Sequence, residues 1–267
     1  MSLTIAVMVK VVPKPEEVTL DEETMTIDRE DADSQLNPAD KNAVELALEL
    51  KDAVEDDDGE ADVVAISMGP PFVEDHLQDV VAMGADDAVL LSDLAFAGAD
   101  TYPTSRVLAA AVEKLGDVDL VLCGEESSDS STGQVPPGVA EWLGINQVTY
   151  VADAAVEDGH LVATRTVGGG EETVRVPLPA MASVEYGVNE PRFPDFKRKR
   201  WAKSEWDLTV WDHADLELPE SELGKEGSYT DVEGLEKISG PERKGEWIDG
   251  EPEQQAAEVA EVLEETL

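Results

Sequence analysis

Leu120-Val121-Leu122-Cys123-Gly124-Glu125-Glu126-Ser127-Ser128-Asp129-Ser130-Ser131-Thr132-Gly133-Gln134-Val135-Pro136-Pro137 holds the pattern that decides the fold. Leu120–Cys123 is a short apolar run, which reads as a buried strand stopped by Gly124. A Ser-rich loop follows through Thr132, then a helix from about Pro136 to Leu143, closed by Gly144. The same strand–loop–helix alternation recurs upstream. Strands are expected at Leu3–Val12, Asp62–Met68 and Ala88–Leu91. Helices are expected at Lys41–Val54, with Asp40 as N-cap, at Phe72–Met83 closed by Gly84, and at Pro103–Leu115 closed by Gly116. Strands alternating with helices at this spacing predict an α/β fold: a parallel sheet of βαβ units with helices on both faces.

After Asn146 the pattern changes. Gln147–Val156, Leu161–Arg165 and Glu172–Val176 read as antiparallel strands added to the sheet, with turns at Asp158-Gly159 and Gly168-Gly169-Gly170. Ala180–Glu185 is the last apolar strand, and the α/β domain is expected to span residues 1–186. Residues 187–267 read as a loop for docking a partner and an extended C-terminal arm. The arm carries four of the five Trp and ends in a short helix near Gln254–Leu263. It either covers a partner subunit or wraps its own domain. Glu16–Asp33 reads as a hairpin or loop, and Glu55–Glu60 as a solvated loop.

Charge excludes whole classes of function. Asp and Glu number 61 against 19 Lys and Arg, a net charge of −42 over 267 residues. Nucleic acid and anionic membranes repel such a surface. The 42% hydrophobic content, set in regular blocks, argues against disorder. Self-repulsion at this charge destabilises a compact chain, and molar salt screens it to about 3 Å. The acids run along the whole chain, so the reading is a protein adapted to a salt-rich cytoplasm. A single Cys123 forbids an internal disulfide, and His76, His160 and His213 lack ligand spacing. The N-terminus turns polar too soon for a secretory signal, and no apolar run reaches the roughly 18 residues of a membrane span.

Motifs for self-contained catalysis are missing. The first strand is not followed by G-x-G-x-x-G, and G-x-x-x-x-G-K-[ST], H-E-x-x-H and G-x-S-x-G are all absent. What remains is the set of loops at the carboxyl ends of parallel strands, where open α/β sheets bind ligands. These are Met8-Val9-Lys10, Ser67-Met68-Gly69-Pro70 and the Gly124–Gln134 loop, whose backbone N–H groups and hydroxyls suit a pyrophosphate. A second feature is basic. Arg192, Lys197, Arg198, Lys199, Arg200 and Lys203 are six cations within twelve positions. Phe193 and Phe196 lie among them beside Pro191 and Pro194, a composition suited to docking another protein.

Several segments, in order, resemble the β subunit of electron transfer flavoprotein. They are Asn37-Pro38, Ser67-Met68-Gly69-Pro70, Ala82-Met83-Gly84-Ala85-Asp86, Asp129–Gln134, Gly169-Gly170 with Glu172-Thr173, and Asn189-Glu190-Pro191-Arg192. The likeness covers about residues 3–203 and departs at Gly168, where the family usually has an acidic residue. The resemblance implies an electron carrier subunit rather than an enzyme. It implies a heterodimer whose alpha subunit holds most of one FAD, with a second nucleotide, AMP or FAD, in this chain's crevice. It further implies acyl-CoA or other flavin dehydrogenases and a quinone-linked oxidoreductase as partners. By motif, the nucleotide positions fall on Met8, Asn37, Asp40, Met68, Asp129, Ser130, Ser131, Thr132, Gly133, Gln134 and Val135. The partner-binding positions are Arg192, Pro194 and Phe196, with Phe196 at the family's apolar anchor. AMP-type members resemble D-D-D-x-N-Q-T-G-Q, and members that bifurcate electrons from NADH resemble D-G-D-T-x-Q-V-G-P. Loop length, Thr132 and Gln134-Val135 favour the second form, while Ser130 and Ser131 depart from it. The competing reading is a stand-alone adenine-nucleotide module of the universal-stress type. Its G-x-x-G-x₉-G-[ST] pattern is absent, and it leaves the basic Phe-bearing segment unexplained.

Overall fold

Apolar runs too short for helices build a central sheet, and amphipathic helices cover both of its faces. The computed structural model describes residues 1–14, 19–21, 26–28, 33–231, 245 and 247–266. They fall into two units, Met1–Glu233 and Gly234–Leu267.

In the first unit the chain begins with β1 (Ser2–Met8), β2 (Val11–Pro13), β3 (Thr19–Asp21), β4 (Thr26–Asp28), β5 (Ser34–Leu36) and α1 (Pro38–Asp56). Next come β6 (Glu60–Met68), α2 (Glu74–Met83), β7 (Asp87–Leu91), α3 (Thr101–Leu115), β8 (Leu120–Gly124) and α4 (Val135–Leu143). β9 (Asn146–Glu157), β10 (His160–Val167) and β11 (Gly170–Pro177) follow, β10 antiparallel to both of the others, while β9 joins the rest of the sheet in parallel. β12 (Ala180–Val184), α5 (Phe196–Ser204) and β13 (Thr209–Trp211) complete the unit. The second unit holds α6 (Pro252–Thr266), longer at both ends than the expected helix at Gln254–Leu263.

Nine strands form one sheet in the order β11-β10-β9-β12-β8-β1-β6-β7-β13. β8, β1, β6 and β7 run parallel, as does β12 between β8 and β9. Ile5, Leu120, Leu122 and Leu77 are fully buried in the core beneath α1 and α2. Ile66, Leu91 and Met181 are buried in the core beneath α3 and α4. Each such side chain contributes roughly 1.5–3 kcal/mol.

Several expected boundaries shift. The strand expected at Leu3–Val12 breaks after Met8: the Val9 N–H still bonds Ile66 O of β6, but the Lys10 N–H turns to the Asp40 carboxylate. Past that break β2 pairs antiparallel with β5. The hairpin expected within Glu16–Asp33 is seen as β3 pairing antiparallel with β4, and the rest of that stretch lies outside the described residues. Helix α1 starts at Pro38, whose fixed φ suits a first helical position, so Asn37 takes the cap position and Asp40 lies inside the first turn.

The region from residue 187 is not an isolated arm. Phe196–Ser204, expected as loop, is helix α5, with Asp195 capping the Lys197 and Arg198 amides. Arg198 donates to Val81 O and Ala85 O at the end of α2, and Lys199 pairs with Asp79. β13 then pairs parallel with β7 at the sheet edge. Trp206 packs on one core and donates to Asp87, and Trp211 packs on the other beneath the Lys114 ammonium. Leu216, Leu218 and Leu223 are buried against the α3–α4 face. The stretch through residue 231 therefore wraps its own sheet.

His213 fastens that wrap. Its Nδ1 meets the Asp93 carboxylate and its Nε2 lies 3.3 Å from Glu220. The bond to Asp93 raises the His213 pKa. The Ala95 N–H, and then His213, hold Asp93 down at about 2. A raised histidine value stabilises the native state fully below the unfolded value of about 6.5 and ceases to do so as pH rises through the native one. Asp93 stabilises above its ordinary 3.8 and stops as pH falls to about 2. Thermal unfolding of His213→Gln in molar salt should show its largest deficit between about pH 4 and 6.5, fading at higher pH. A deficit that stays constant to pH 9 would show that the contact is packing rather than charge.

Candidate functional site

The chain leaves β1 for β6 on one side and later returns to β8 on the other, so the strand order reverses between β1 and β8. A crevice outside the carboxyl ends of these strands is the expected ligand site of such a sheet. Three segments meet there: the residues after β1, the first turn of α1 and the loop after β8.

Asp40 is the joint. Its carboxylate accepts the Lys10 N–H at 2.7 Å and the Gly124 N–H at 2.9 Å, tying α1 to the ends of both strands. Burial drives its pKa up to about 6, against the pull of the Lys10 amide, the Asn37 side chain and the Gly124 amide. Gly124 is required by space. A Cβ there would sit 2.6 Å from Asp40 Oδ1 and 2.7 Å from Ala39. Cys123 lies beneath, its thiol pushed far up by burial and so no thiolate nucleophile at neutral pH.

Asn37 is 1% exposed and serves the loop. Its Nδ2 donates to Glu126 O at 2.8 Å, and its Oδ1 accepts the Ser128 N–H at 3.0 Å. The Lys10 ammonium reaches Asp129 Oδ1 at 2.6 Å and Ser127 Oγ at 3.2 Å. The Ser131 N–H closes a turn onto Ser127 O at 2.8 Å. Gly133 has φ +60°, a backbone shape that favours glycine, and Gln134 accepts from Thr101 of α3 at 3.0 Å. Ser130, Ser131 and Thr132 stay exposed.

The helix N-terminus supplies less than the sequence suggested. Pro136 and Pro137 follow Val135 and carry no N–H, so two of the first three helical positions of α4 cannot donate. The amides of Thr132, Gly133 and Val135 have no acceptor among the described residues. With the exposed hydroxyls, they form the donor set that fits a phosphate.

The expected nucleotide positions thus divide. Asn37, Asp40 and Asp129 join one hydrogen-bonded network. Ser130–Val135 form the open rim. Met8 and Met68 end β1 and β6 on the α3–α4 face, Met8 buried and Met68 half-buried against that core. Lys10 is not among the expected ligand positions, since its contact with the loop depends on a residue 119 positions away.

The second expected site also rests on α1. Asn42 donates to Asn189 O and Oδ1 and accepts the Gly187 N–H. Arg192 was expected to face a partner. Its guanidinium bonds the buried Glu45 at 3.0 Å and Asp52 at 2.9 Å, which anchors the loop to its own helix and leaves the side chain about a third exposed. Pro194 is half-buried, while Phe193 and Phe196 are 94% and 81% exposed. Lys197, Arg200 and Lys203 are exposed without a side-chain partner among the described residues. Sequence reading missed Glu45, although an acid at a buried position of α1 is the available signal.

The model of the electron transfer flavoprotein domain matches residues 24–214. The chain is 38% identical over 261 residues to the electron transfer flavoprotein subunit beta of Thermoanaerobacterium thermosaccharolyticum, covering 98% of each. It is 40% identical over 265 residues to the subunit of that name from Clostridium acetobutylicum, again covering 98% of each. It is also 40% identical over 230 residues, 86% of each chain, to the caffeyl-CoA reductase-Etf complex subunit CarD of Acetobacterium woodii.

Gly124→Ala tests the joint. The added methyl must displace Asp40 and Ala39, so stability in urea with molar salt should fall by about 1–3 kcal/mol. An unchanged midpoint would mean that α1 moves away from β8 without cost.

Proposed function

This chain belongs to the electron transfer flavoprotein family, and from that premise we propose that it works as the β subunit of an electron-carrying heterodimer, with a nucleotide in the crevice between β1 and β8. The observation that carries the nucleotide reading is the loop Asp129–Val135, pinned by Asn37 and Lys10, with open amides at Thr132, Gly133 and Val135. An alpha subunit would hold most of one FAD. Flavin supplies the redox chemistry, and this chain's residues bind, orient and exclude solvent. No described side chain here needs to act as a general acid or base.

Of the two nucleotides that the family resemblance left open, the short loop with Thr132 and Gln134-Val135 favours FAD over AMP. FAD in the crevice fits the form of the family that bifurcates electrons from NADH. A relative named as a subunit of a caffeyl-CoA reductase-Etf complex supports an enzyme acting on a CoA ester as docking partner, and the family resemblance adds a quinone-linked oxidoreductase as the other. Docking falls on Phe193 and Phe196, two exposed rings beside Lys197, Arg200 and Lys203, a surface suited to an acidic face with an apolar slot. Among the described residues, no helix is long and apolar enough to cross a membrane.

The alpha–beta complex, co-purified in molar salt and denatured to release its nucleotides, should yield two FAD. One FAD and one AMP would give the crevice to AMP and leave a plain carrier. No flavin from an intact complex would remove the β-subunit reading. Phe196→Asp should weaken dehydrogenase docking about tenfold or more with flavin content unchanged, read as KM for the carrier in dehydrogenase turnover. Flavin loss in that variant would make the loop a structural element of the complex instead.

A further inference from the structure

We propose that Asn37 is a positioning residue of the nucleotide crevice: its carboxamide sets the loop after β8 and does not touch the nucleotide. The proposal rests on the nucleotide reading above and gives one of that site's expected ligand positions a different role. An asparagine at the head of a helix ordinarily caps it, its side-chain oxygen accepting an amide of the first turn. Asn37 holds the cap position of α1, yet its side chain makes no cap bond. Capping therefore does not explain the residue type, whereas the loop does. Nδ2 donates to Glu126 O at 2.8 Å, and Oδ1 accepts the Ser128 N–H at 3.0 Å. Among short side chains only a carboxamide offers a donor atom and a separate acceptor atom at that reach. The main chain of Asn37 is committed as well: its N–H goes to Lys10 O, and its C=O accepts the Lys41 N–H. At 1% exposure the residue is an enclosed link between the end of β1, the start of α1 and the loop.

The two bonds grip the loop on either side of Ser127. The Ser127 carbonyl in turn accepts the Ser130 N–H at 3.3 Å, the Ser131 N–H at 2.8 Å and the Ser131 hydroxyl at 3.2 Å. That carbonyl is the pivot of the turn, which the chain leaves in left-handed backbone at Ser131, with φ +44°. The amides of Thr132 and Gly133 follow at once, without an acceptor among the described residues. The direction of these phosphate donors is therefore inherited from Ser127, and that of Ser127 from Asn37. The Lys10 ammonium also reaches the loop, at Ser127 Oγ, so loss of the carboxamide loosens the turn without releasing it. A phosphate depends on where those amides point. A nucleoside without phosphate has no group for them to bind.

The test uses the alpha–beta complex in molar salt, with AMP and adenosine as competitors that displace the nucleotide resident in the crevice. AMP is the portion that both candidate nucleotides share, and adenosine is the same ligand without its phosphate. Asn37→Leu keeps the size of the side chain and removes both loop bonds. AMP affinity should fall about tenfold or more, because two backbone groups of the loop lose their partner and the donor set drifts. Adenosine affinity should stay within about threefold of wild type, so the preference for AMP over adenosine shrinks. A direct contact between Asn37 and the nucleoside would weaken both ligands alike, and so would a collapse of the crevice. Equal losses for AMP and adenosine therefore overturn the proposal, as does unchanged AMP affinity. Should Asn37→Leu fail to fold, Asn37→Ser reports on the same ratio. Its hydroxyl is too short to span both bonds, so the preference for AMP should shrink there as well, and an unchanged preference refutes the role. A wild-type complex with no nucleotide in the crevice would instead remove the nucleotide reading itself.

Discussion

One carboxylate sets the arrangement of the whole site. Asp40 accepts amides from the ends of two adjacent strands, so the first turn of α1 is held against the sheet where the strand order reverses. A buried carboxylate is costly unless its lone pairs are filled. Here two backbone N–H groups fill them, yet burial still lifts the group to about 6. The bond is therefore an organising contact more than a source of stability. It persists because Gly124 leaves the necessary space and because the break in β1 frees the Lys10 amide.

The same helix organises the second site. Asn42 and Glu45, buried on α1, hold residues 187–192, and Asp52 completes the grip on Arg192. The crevice and the loop at residues 187–192 are thus hung from successive turns of one helix. In a chain with 19 cations and 61 acids, the use of each cation matters. Lys10, Lys51, Arg192, Arg198 and Lys199 are spent on internal bonds. Lys197, Arg200 and Lys203 face outward on α5, beside the two exposed Phe rings. A cluster of six that looked uniform in sequence is therefore three anchors and three exposed charges without a side-chain partner among the described residues.

How much was legible follows from the range of the interactions. Strand and helix identity rests on local periodicity, so β6, β7, β8 and α1–α4 were placed to within a few residues. Asp40 was read as the helix cap and, through the family resemblance, as a nucleotide position, but not as the joint of two strands, since a short polar residue after Asn-Pro looks the same whether it caps its own helix or reaches two strands. The Pro that starts α1 moved the cap to Asn37. Helix α5 has little apolar periodicity because its inner contacts are made by Arg198, Lys199 and Ala202 rather than by a hydrophobic stripe. β13 is three residues long and exists only because β7 offers an open edge. Neither signal is local, and the arm was therefore read as extended.

The loop after β8 shows how these constraints bear on ligand choice. A phosphate at a helix N-terminus ordinarily relies on the first free amides of the helix. Pro136 and Pro137 remove two of them. The remaining donors, Thr132, Gly133 and Val135, lie on a segment whose backbone turns left-handed at Ser131 and Gly133. The Thr132 and Gly133 amides take their direction from the preceding turn, and only the Val135 amide from the helix. That turn is held by neutral bonds from Asn37 and, among the described contacts, by the ion pair of Lys10 with Asp129. Under the proposed nucleotide reading, recognition in this crevice is consequently transferred in large part from helix geometry to the tethers at the loop's base, and two sequences with the same helix could hold different nucleotides by differing only between residues 129 and 135.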